Sequence, residues 1–308
     1  MVGYLFAGQG SQYVGMGKDL YESFPEAGKV FDAADRTLGF SLSKLCFEGP
    51  QEELTVTVNC QPAILTMSIA AWKAFKAGDR GQGTGDSGYA AGLSLGEYSA
   101  LVAAGALTFE DAVYLVRRRG EFMEEEARKK PGSMLSLIGM EPDAVRQLCV
   151  DTKTEMANLN CPGQTVISGG VQEIAQAEGM AKARGARMAL RLEVSGAFHS
   201  SFMSGASQKL AQELAKIKIS APRIPVIANV TGKPVVSADE IRQNLIKQVS
   251  ASVLWEDSMK FLIAQGVKDF YEFGPGKVLK GLMRRIDGSA QVTSIEKKED
   301  LLSLARSQ

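Results

Sequence analysis

Short unbroken apolar runs alternate along this chain with longer stretches in which apolar residues recur every third or fourth position. The first pattern predicts buried strands, and the second predicts amphipathic helices that cover them. Tyr4 to Ala7 is such a run, and Gly17 to Ser23, Pro25 to Leu38 and Asn59 to Ala77 are such helices. Pro62 is expected in the first turn of the last one, where a missing N–H has no partner to lose. Gly78 to Gly88 carries five glycines with Asp79, Arg80, Gln82, Thr84, Asp86 and Ser87, a composition that cannot pack and predicts a flexible surface loop. The loop delivers the chain to the apolar run Tyr89-Ala90-Ala91, which passes through Gly92-Leu93-Ser94-Leu95-Gly96 into another helix. Thr108, followed by Asp111, resembles the cap of a helix that should reach about Lys130 before Pro131-Gly132 breaks it.

From Met134 the pattern changes to strand (Met134 to Ile138), helix (Pro142 to Thr152), strand (Glu155 to Asn160), strand (Thr165 to Ser168), helix (Val171 to Arg184) and strand (Arg187 to Arg191). This is the βαββαβ order of a ferredoxin-like unit. Bounded by Pro131-Gly132 and by Ser195-Gly196, residues 132–194 are expected to form a compact inserted domain. Residues 1–131 and 195–308 would form the larger α/β domain around it. A helix over Ser201 to Ile217, a strand at Val226 to Ala228, a helix from the capping pair Ser237 and Glu240 to Val249, a strand at Val267 to Phe273 and a helix over Lys277 to Ile286 complete the pattern. Strands alternating with helices on both sides of the insert predict a mainly parallel sheet covered on two faces, with the ligand site in the cleft between the two domains.

Composition narrows the function classes. A chain of 308 residues, 45% of them hydrophobic, can bury a large core. Lys+Arg and Asp+Glu both number 35, so no global field favours nucleic acid or an anionic membrane, and charged ligands must be met locally. Cys46, Cys60, Cys149 and Cys161 show neither C-x-x-C spacing nor nearby histidines, which predicts reduced thiols in a cytoplasmic protein and no metal. The start of the chain lacks the basic flank and apolar core of a signal peptide, and no later apolar run approaches a membrane span.

The candidate chemistry gathers at Gly92-Leu93-Ser94-Leu95-Gly96, which has the form of a nucleophile elbow. Its glycines lack the Cβ atoms that would collide in so sharp a strand-to-helix turn, and the helix that follows points backbone amides at an oxyanion forming on Ser94. Gly8-Gln9-Gly10-Ser11-Gln12, after the first strand, is a second loop whose amides could face a ligand. His199 is the only histidine of the chain, so any mechanism that needs an imidazole must use it. A serine hydroxyl is a poor nucleophile until a base takes its proton, and imidazole titrates near neutral pH. Arg117, Arg118 and Arg119 diverge by about 100° each along their helix, so at most one can point into a site.

Six motifs now stand in order: Gly8-Gln9-Gly10-Ser11-Gln12, Gly92-Leu93-Ser94-Leu95-Gly96-Glu97-Tyr98-Ser99, Arg119-Gly120, Asn158-Leu159-Asn160, Gly196-Ala197-Phe198-His199-Ser200 and Gly274-Pro275-Gly276-Lys277. Together they resemble the malonyl-CoA:acyl-carrier-protein transacylase family, over a span from near residue 4 to near residue 286. The resemblance implies an α/β-hydrolase-like core with a ferredoxin-like insert. It implies Ser94 as nucleophile, His199 as base, the amides of Gln9 and Leu95 as oxyanion hole, and Gln248 as the residue whose main chain orients the histidine. It also implies Arg119 as partner of the malonyl carboxylate, with Phe198, Asn160 and Gln12 as substrate-binding residues; the Phe198 ring would leave little room for an α-methyl branch. Leu93 departs from the histidine common before the nucleophile in the family, and in this the motif is more similar to the free-standing acyltransferases that serve modular polyketide synthases.

What the resemblance implies is malonyl transfer from malonyl-CoA to the phosphopantetheine thiol of an acyl carrier protein through a malonyl-serine ester, for polyketide or fatty acid biosynthesis. An acyl hydrolase on the same scaffold is the alternative, against which Arg119 argues, because a hydrolase gains little from a malonate clamp. A conventional serine esterase would need a carboxylate orienting His199, and a non-catalytic carrier-docking protein would have no use for Ser94 and His199. The expected partners are malonyl-CoA and an acyl carrier protein, without cofactor, metal, nucleic acid or membrane, and the protein is expected to be a monomer. Lys182, Arg184, Arg187, Lys277, Lys280, Arg284 and Arg285 are candidate contacts for CoA phosphates or an acidic carrier, against the plainer alternative of a solvated surface.

Overall fold

The structure, a computed structural model, describes residues 1–78 and 88–306. The glycine-rich stretch predicted to be a loop lies, apart from Gly78 and Gly88, outside the described residues. Eleven strands are present among the described residues: β1 (Val2–Phe6), β2 (Gly88–Gly92), β3 (Gly132–Ile138), β4 (Glu155–Cys161), β5 (Gln164–Gly170), β6 (Met188–Arg191), β7 (Val226–Ala228), β8 (Lys233–Val235), β9 (Val253–Leu254), β10 (Asp269–Phe273) and β11 (Gln291–Ile295).

Six of them form a sheet in the order β11-β10-β1-β2-β7-β8, parallel throughout except for β8, which runs antiparallel to β7. Parallel neighbours need crossover connections, and the crossover helices bury both faces of the sheet. Alternation along the strands sorts the side chains accordingly. Tyr4, Phe6, Ala90, Val226 and Phe273 enter one core with the helices Pro25–Leu38, Thr57–Ala77 and Phe109–Lys129. Leu5, Ala91, Ile227 and Phe270 enter a second core with Trp255, Met259 and Leu262 of the helix Trp255–Ala264 and Leu279, Leu282 and Met283 of Val278–Ile286. Each large side chain so buried contributes about 1.5–3 kcal/mol.

A smaller sheet has the order β6-β3-β5-β4-β9. Its first four strands are antiparallel neighbours, whereas β9 pairs with β4 in parallel. The helices Pro142–Thr152 and Val171–Ala181 cover one face through Val145, Leu148, Ile174 and Ala177 packed on Leu135, Leu137 and Ile167. Met134, Ala157 and Val166 on the other face belong to the core of the large sheet, so the two sheets share one interior.

Several boundaries differ from the sequence pattern, each for a local reason. The helix Thr57–Ala77 begins two residues before Asn59, which moves Pro62 out of the first turn. The carbonyl of Val58, which the residue at 62 would ordinarily serve, accepts instead from Nη1 of Arg117 at 3.2 Å, and the helix continues unbroken. Val171–Ala181 stops short of Arg184, ahead of Gly185 in the left-handed region at φ 98°. The segment predicted as one helix over Ser201 to Ile217 is a 3₁₀ turn, Ser201–Met203, followed by the helix Ser204–Leu214. Thr108 caps its helix as expected, accepting from the Asp111 amide at 3.1 Å, and Ser237 accepts from the Glu240 amide at 3.3 Å. The helices Leu42–Glu48, Gln51–Thr55, Trp255–Ala264 and Lys298–Arg306 and the strands β8, β9 and β11 were not anticipated. Among the described residues no helix is long and apolar enough to cross a membrane, and all four cysteines are buried thiols.

Candidate active site

The elbow forms where β2 ends against the helix Gly96–Ala103. A Cβ on Gly92 would stand 2.0 Å from the carbonyl of Gly96, and one on Gly96 would stand 2.2 Å from the carbonyl oxygen of Phe6, so no side chain fits at either position. Between them Ser94 adopts φ 51°, a left-handed conformation that non-glycine residues avoid. The loop after β1 closes on this turn so tightly that a Cβ on Gly8 would meet the Leu93 carbonyl at 2.6 Å, which brings Gln9 beside the elbow. Among the described residues the backbone amides of Gln9 and Leu95 have no hydrogen-bond acceptor, whereas the Ser94 amide donates to Oδ1 of Asn229 at 2.6 Å.

His199 reaches the elbow from the chain beyond β6. Its Nε2 lies 2.7 Å from Ser94 Oγ, and its Nδ1 lies 2.8 Å from the main-chain oxygen of Gln248. A carbonyl only accepts, so Nδ1 carries the proton and Nε2 presents a lone pair to the serine hydroxyl. The imidazole is 5% exposed, and burial together with the nearby Arg119 charge lowers its pKa to about 4, so the ring is neutral at pH 7. His199 also sits at positive φ, 57°. The carbonyls just before it are held by two buried hydroxyls: Ser168 Oγ donates to Phe198 O at 2.6 Å and Ser200 Oγ to Ala197 O at 2.6 Å.

Arg119, 1% exposed, donates from Nη2 to Ser94 Oγ at 3.1 Å and to Oε1 of Gln248 at 3.1 Å, and from Nη1 to Oε1 of Gln61 at 2.8 Å. Its Nε has no partner and no carboxylate forms an ion pair with it, among the described residues. Burial lowers its pKa, and the neighbouring Tyr98, Glu97 and Cys60 act in the opposite direction. Arg118 turns away, pairing with Glu121 and lying 4.7 Å over the Phe122 ring. Arg117 also leaves the site, but it is not a solvated charge: it binds the carbonyl of Val58, Oδ1 of Asn59 and the carboxylate of Glu121.

A cleft of about 530 Å³ opens over Ser94 and His199, between the ends of β1 and β2 and the small sheet. Gln9, Gln12 and Asn158 supply polar groups to its wall, and Leu93, Met123, Met134 and Phe198 supply apolar ones. Of the sequence-predicted residues, Ser94, His199, Gln9, Gln12 and Phe198 line this wall; Arg119, Leu95 and Gln248 lie behind it around Ser94 and His199, and Asn160 is buried with no partner for Oδ1 among the described residues, while Asn158 of the same motif does line the wall. β4 carries register irregularities between Met156 and Asn158 and between Leu159 and Cys161, and such irregularities redirect side chains in a way no sequence spacing reveals. The start of the helix at Gly274-Pro275-Gly276-Lys277 is already occupied. Glu272 accepts from the Leu279 and Lys280 amides at 2.8 and 3.2 Å, and Glu296 from the Gly276 amide at 2.9 Å. Lys182, Arg187, Lys277, Lys280, Arg284 and Arg285 are exposed and outside the cleft wall, and Arg184 pairs with Asp151.

Sequence reasoning passed over Glu97, Asn229 and Gln61 as site residues. Glu97 is 2% exposed, and its Oε2 accepts from the Asn229 amide at 3.0 Å and from Nε2 of Gln248 at 2.7 Å. Burial pushes its carboxyl up to about 7, while those two hydrogen bonds and the Arg119 charge pull it down. A usable signal existed for Asn229, which directly follows β7 at the carboxyl end of a parallel strand, where sites of open α/β sheets gather.

The acyl transferase domain family matches this chain over residues 3–280. A malonyl CoA-acyl carrier protein transacylase of Bacillus subtilis (strain 168) is 47% identical over 310 residues, covering 97% of this chain and 95% of that protein. The crystal structure of an acyl-carrier-protein S-malonyltransferase from Bartonella henselae matches with a TM-score of 0.94 at 36% identity, over 99% of this chain and 98% of that one. A structure of a type II polyketide synthase acyl-carrier protein in complex with its malonyl-transacylase matches with a TM-score of 0.93 at 36% identity, over 100% of this chain and 99% of that one.

Proposed function

This chain belongs to the malonyl CoA-acyl carrier protein transacylases of the acyl transferase family, and from that premise we propose that Ser94 is its nucleophile and His199 its general base. The reaction moves a malonyl group from CoA to the thiol of an acyl carrier protein, for fatty acid or polyketide biosynthesis. The observation that carries the residue assignment is the 2.7 Å contact of Ser94 Oγ with His199 Nε2, whose proton the Gln248 carbonyl holds on the far nitrogen.

In the first half-reaction Ser94 Oγ attacks the thioester carbonyl and passes its proton to His199 Nε2. The oxyanion is met by the amides of Gln9 and Leu95, which have no other acceptor among the described residues. Collapse expels CoA as a thiol, protonated by the imidazolium, and leaves a malonyl-serine ester. The malonyl carboxylate lies two carbons along from the ester, within reach of the Arg119 guanidinium whose Nη2 is 3.1 Å from Ser94 Oγ. Phe198 and Gln12 contribute to substrate binding from the cleft wall, and Asn158 takes the place expected of Asn160. In the second half the phosphopantetheine thiol of the carrier gives its proton to His199 and attacks the ester; collapse breaks the acyl–Oγ bond, Ser94 Oγ takes the proton back from the imidazolium, and the carrier departs as the malonyl thioester. No dissociable cofactor enters this cycle. The hydrolase alternative is not favoured by these relatives, which are transacylases by name.

The same reading takes residues 132–194 as an inserted unit on a large unit of 1–131 and 195–308, in a cytoplasmic monomer. The test is intact-mass measurement after mixing with malonyl-CoA. The protein gains one malonyl group, and Ser94→Ala gains none while keeping the near-ultraviolet circular dichroism of the parent. An adduct that persists in Ser94→Ala removes the assignment.

A further inference from the structure

Ser94 and His199 both sit in left-handed backbone conformations. Such conformations cost about 1–3 kcal/mol and persist only where the surroundings impose them. Gly92 and Gly96 permit the elbow but do not hold it. The side chain of Asn229 is placed to do so, because it grips the turn at two peptide groups. Its Oδ1 accepts from the Ser94 amide at 2.6 Å and its Nδ2 donates to the Gly92 carbonyl at 2.8 Å.

The grip continues past Asn229. Oε2 of Glu97 accepts from the Asn229 amide at 3.0 Å and from Nε2 of Gln248 at 2.7 Å. That Nε2 also donates to the Ser94 carbonyl at 2.9 Å, and Oε1 of the same side chain accepts from Arg119 at 3.1 Å. The main-chain oxygen of Gln248 orients the imidazole at 2.8 Å. One carboxylate oxygen therefore joins the residue that pins the nucleophile to the residue that pins the base and the arginine. Glu97, Asn229 and Gln248 are 2%, 1% and 0% exposed, so water does not compete for these bonds.

Resting on the catalytic reading of Ser94 and His199, we propose that Asn229 and Glu97 are positioning residues for acyl transfer: Asn229 fixes the Ser94 elbow, and Glu97 couples that elbow to the Gln248 that holds His199 and Arg119. Neither touches the substrate. Asn229 also occupies the Ser94 amide, which leaves the Gln9 and Leu95 amides as the donors open to an oxyanion.

Single-turnover acylation by malonyl-CoA, followed by rapid quench and mass measurement, tests this in Asn229→Ala, Asn229→Asp, Glu97→Ala and Glu97→Gln. Rates are taken per site that acylates at completion, which removes any unfolded fraction. Asn229→Asp keeps the acceptor for the Ser94 amide but sets an oxygen against the Gly92 carbonyl. Both Asn229 variants should acylate on the order of 10²-fold more slowly, the usual result of misplacing a reacting group, with KM within about 3-fold of the parent. Glu97→Gln retains an acceptor oxygen and should recover most of the rate that Glu97→Ala loses. A folded Asn229 variant with parental acylation rate overturns the proposal, as does Glu97→Gln as slow as Glu97→Ala. Failure of both Asn229 variants to fold makes the residue a folding determinant and overturns it equally. Should the parent protein itself take up no malonyl group, the catalytic reading fails, a result distinct from these.

Discussion

Arg119 is a guanidinium held 1% exposed without a carboxylate partner among the described residues, with Nε unpaired and one Nη 3.1 Å from the serine hydroxyl. A buried charge left in that state favours an incoming anion, and a malonyl group differs from an acetyl group by its free carboxylate. Removing the arginine would strand the malonyl carboxylate at a cost of about 3–5 kcal/mol, so Arg119→Ala should lose about 10²–10⁴-fold in malonyl transfer while acetyl transfer is spared. Competition of malonyl-CoA against acetyl-CoA, read by intact mass, checks this, with Arg118→Ala as the control that keeps the preference. His199 supports a second expectation. Burial and the Arg119 charge hold its folded pKa near 4 against an ordinary 6.5, so the base stays neutral as pH falls through 6.5. In Glu97→Gln, which removes the other site group raised to about 7, kcat/KM for malonyl-CoA should therefore remain level through pH 6.5 and decline only toward pH 4; a midpoint at 6.5 in that variant would show that the free enzyme carries an unperturbed imidazole. The sign for stability is the same. The unfolded chain takes up the proton first, so the contribution of His199 is complete above pH 6.5 and is lost between there and pH 4.

The helix Phe109–Lys129 shows how one element serves two ends. Arg119 enters the site, while two residues earlier Arg117 repairs the neighbouring helix by donating to the Val58 carbonyl that Pro62 leaves without an amide, and to Asn59 Oδ1 at 2.7 Å. Arg117→Ala should then destabilise the fold by about 0.5–1.5 kcal/mol, the net worth of hydrogen bonds to half-buried acceptors that water can partly replace, seen as a Tm lower by a few degrees. Its malonyl-over-acetyl preference should be unchanged, and a parental Tm would remove the repair role. The Gly274-Pro275-Gly276-Lys277 motif likewise does structural work, since Glu272 and Glu296 already take the amides that a phosphate would use.

For the molecule as a whole, the two sheets meet beside His199. Ser168 of β5 in the small sheet holds the Phe198 carbonyl beside His199, and Ser252 Oγ, next to β9, donates to the Met156 carbonyl of β4 at 2.5 Å. The cleft over Ser94 and His199 lies where these parts converge, with Met123, Met134, Leu93 and Phe198 giving it apolar walls that disfavour bulk water. The malonyl-serine ester should accordingly be long-lived in buffer and discharge rapidly on addition of a holo carrier protein. Comparable loss of the adduct with and without the carrier would place the enzyme among hydrolases instead.

Periodicity and breakers were sufficient to specify the α/β class and most strand and helix positions, and glycines at a sharp turn with a single histidine singled out Ser94 and His199, because those signals are local; Arg119, Gln9 and Leu95 came only with the family resemblance. The two-residue β9, the bulged β4 that puts Asn158 in the cleft wall and Asn160 out of it, and the Arg117 repair of Pro62 have no such local mark. Asn229 and Glu97 belong with them. They stand 132 residues apart and meet only because β7 pairs beside β2, and what they do follows from which buried donor faces which acceptor once the sheet has closed. Hydrogen-bond partners separated so far along the chain are chosen by packing, and only the tertiary structure decides them.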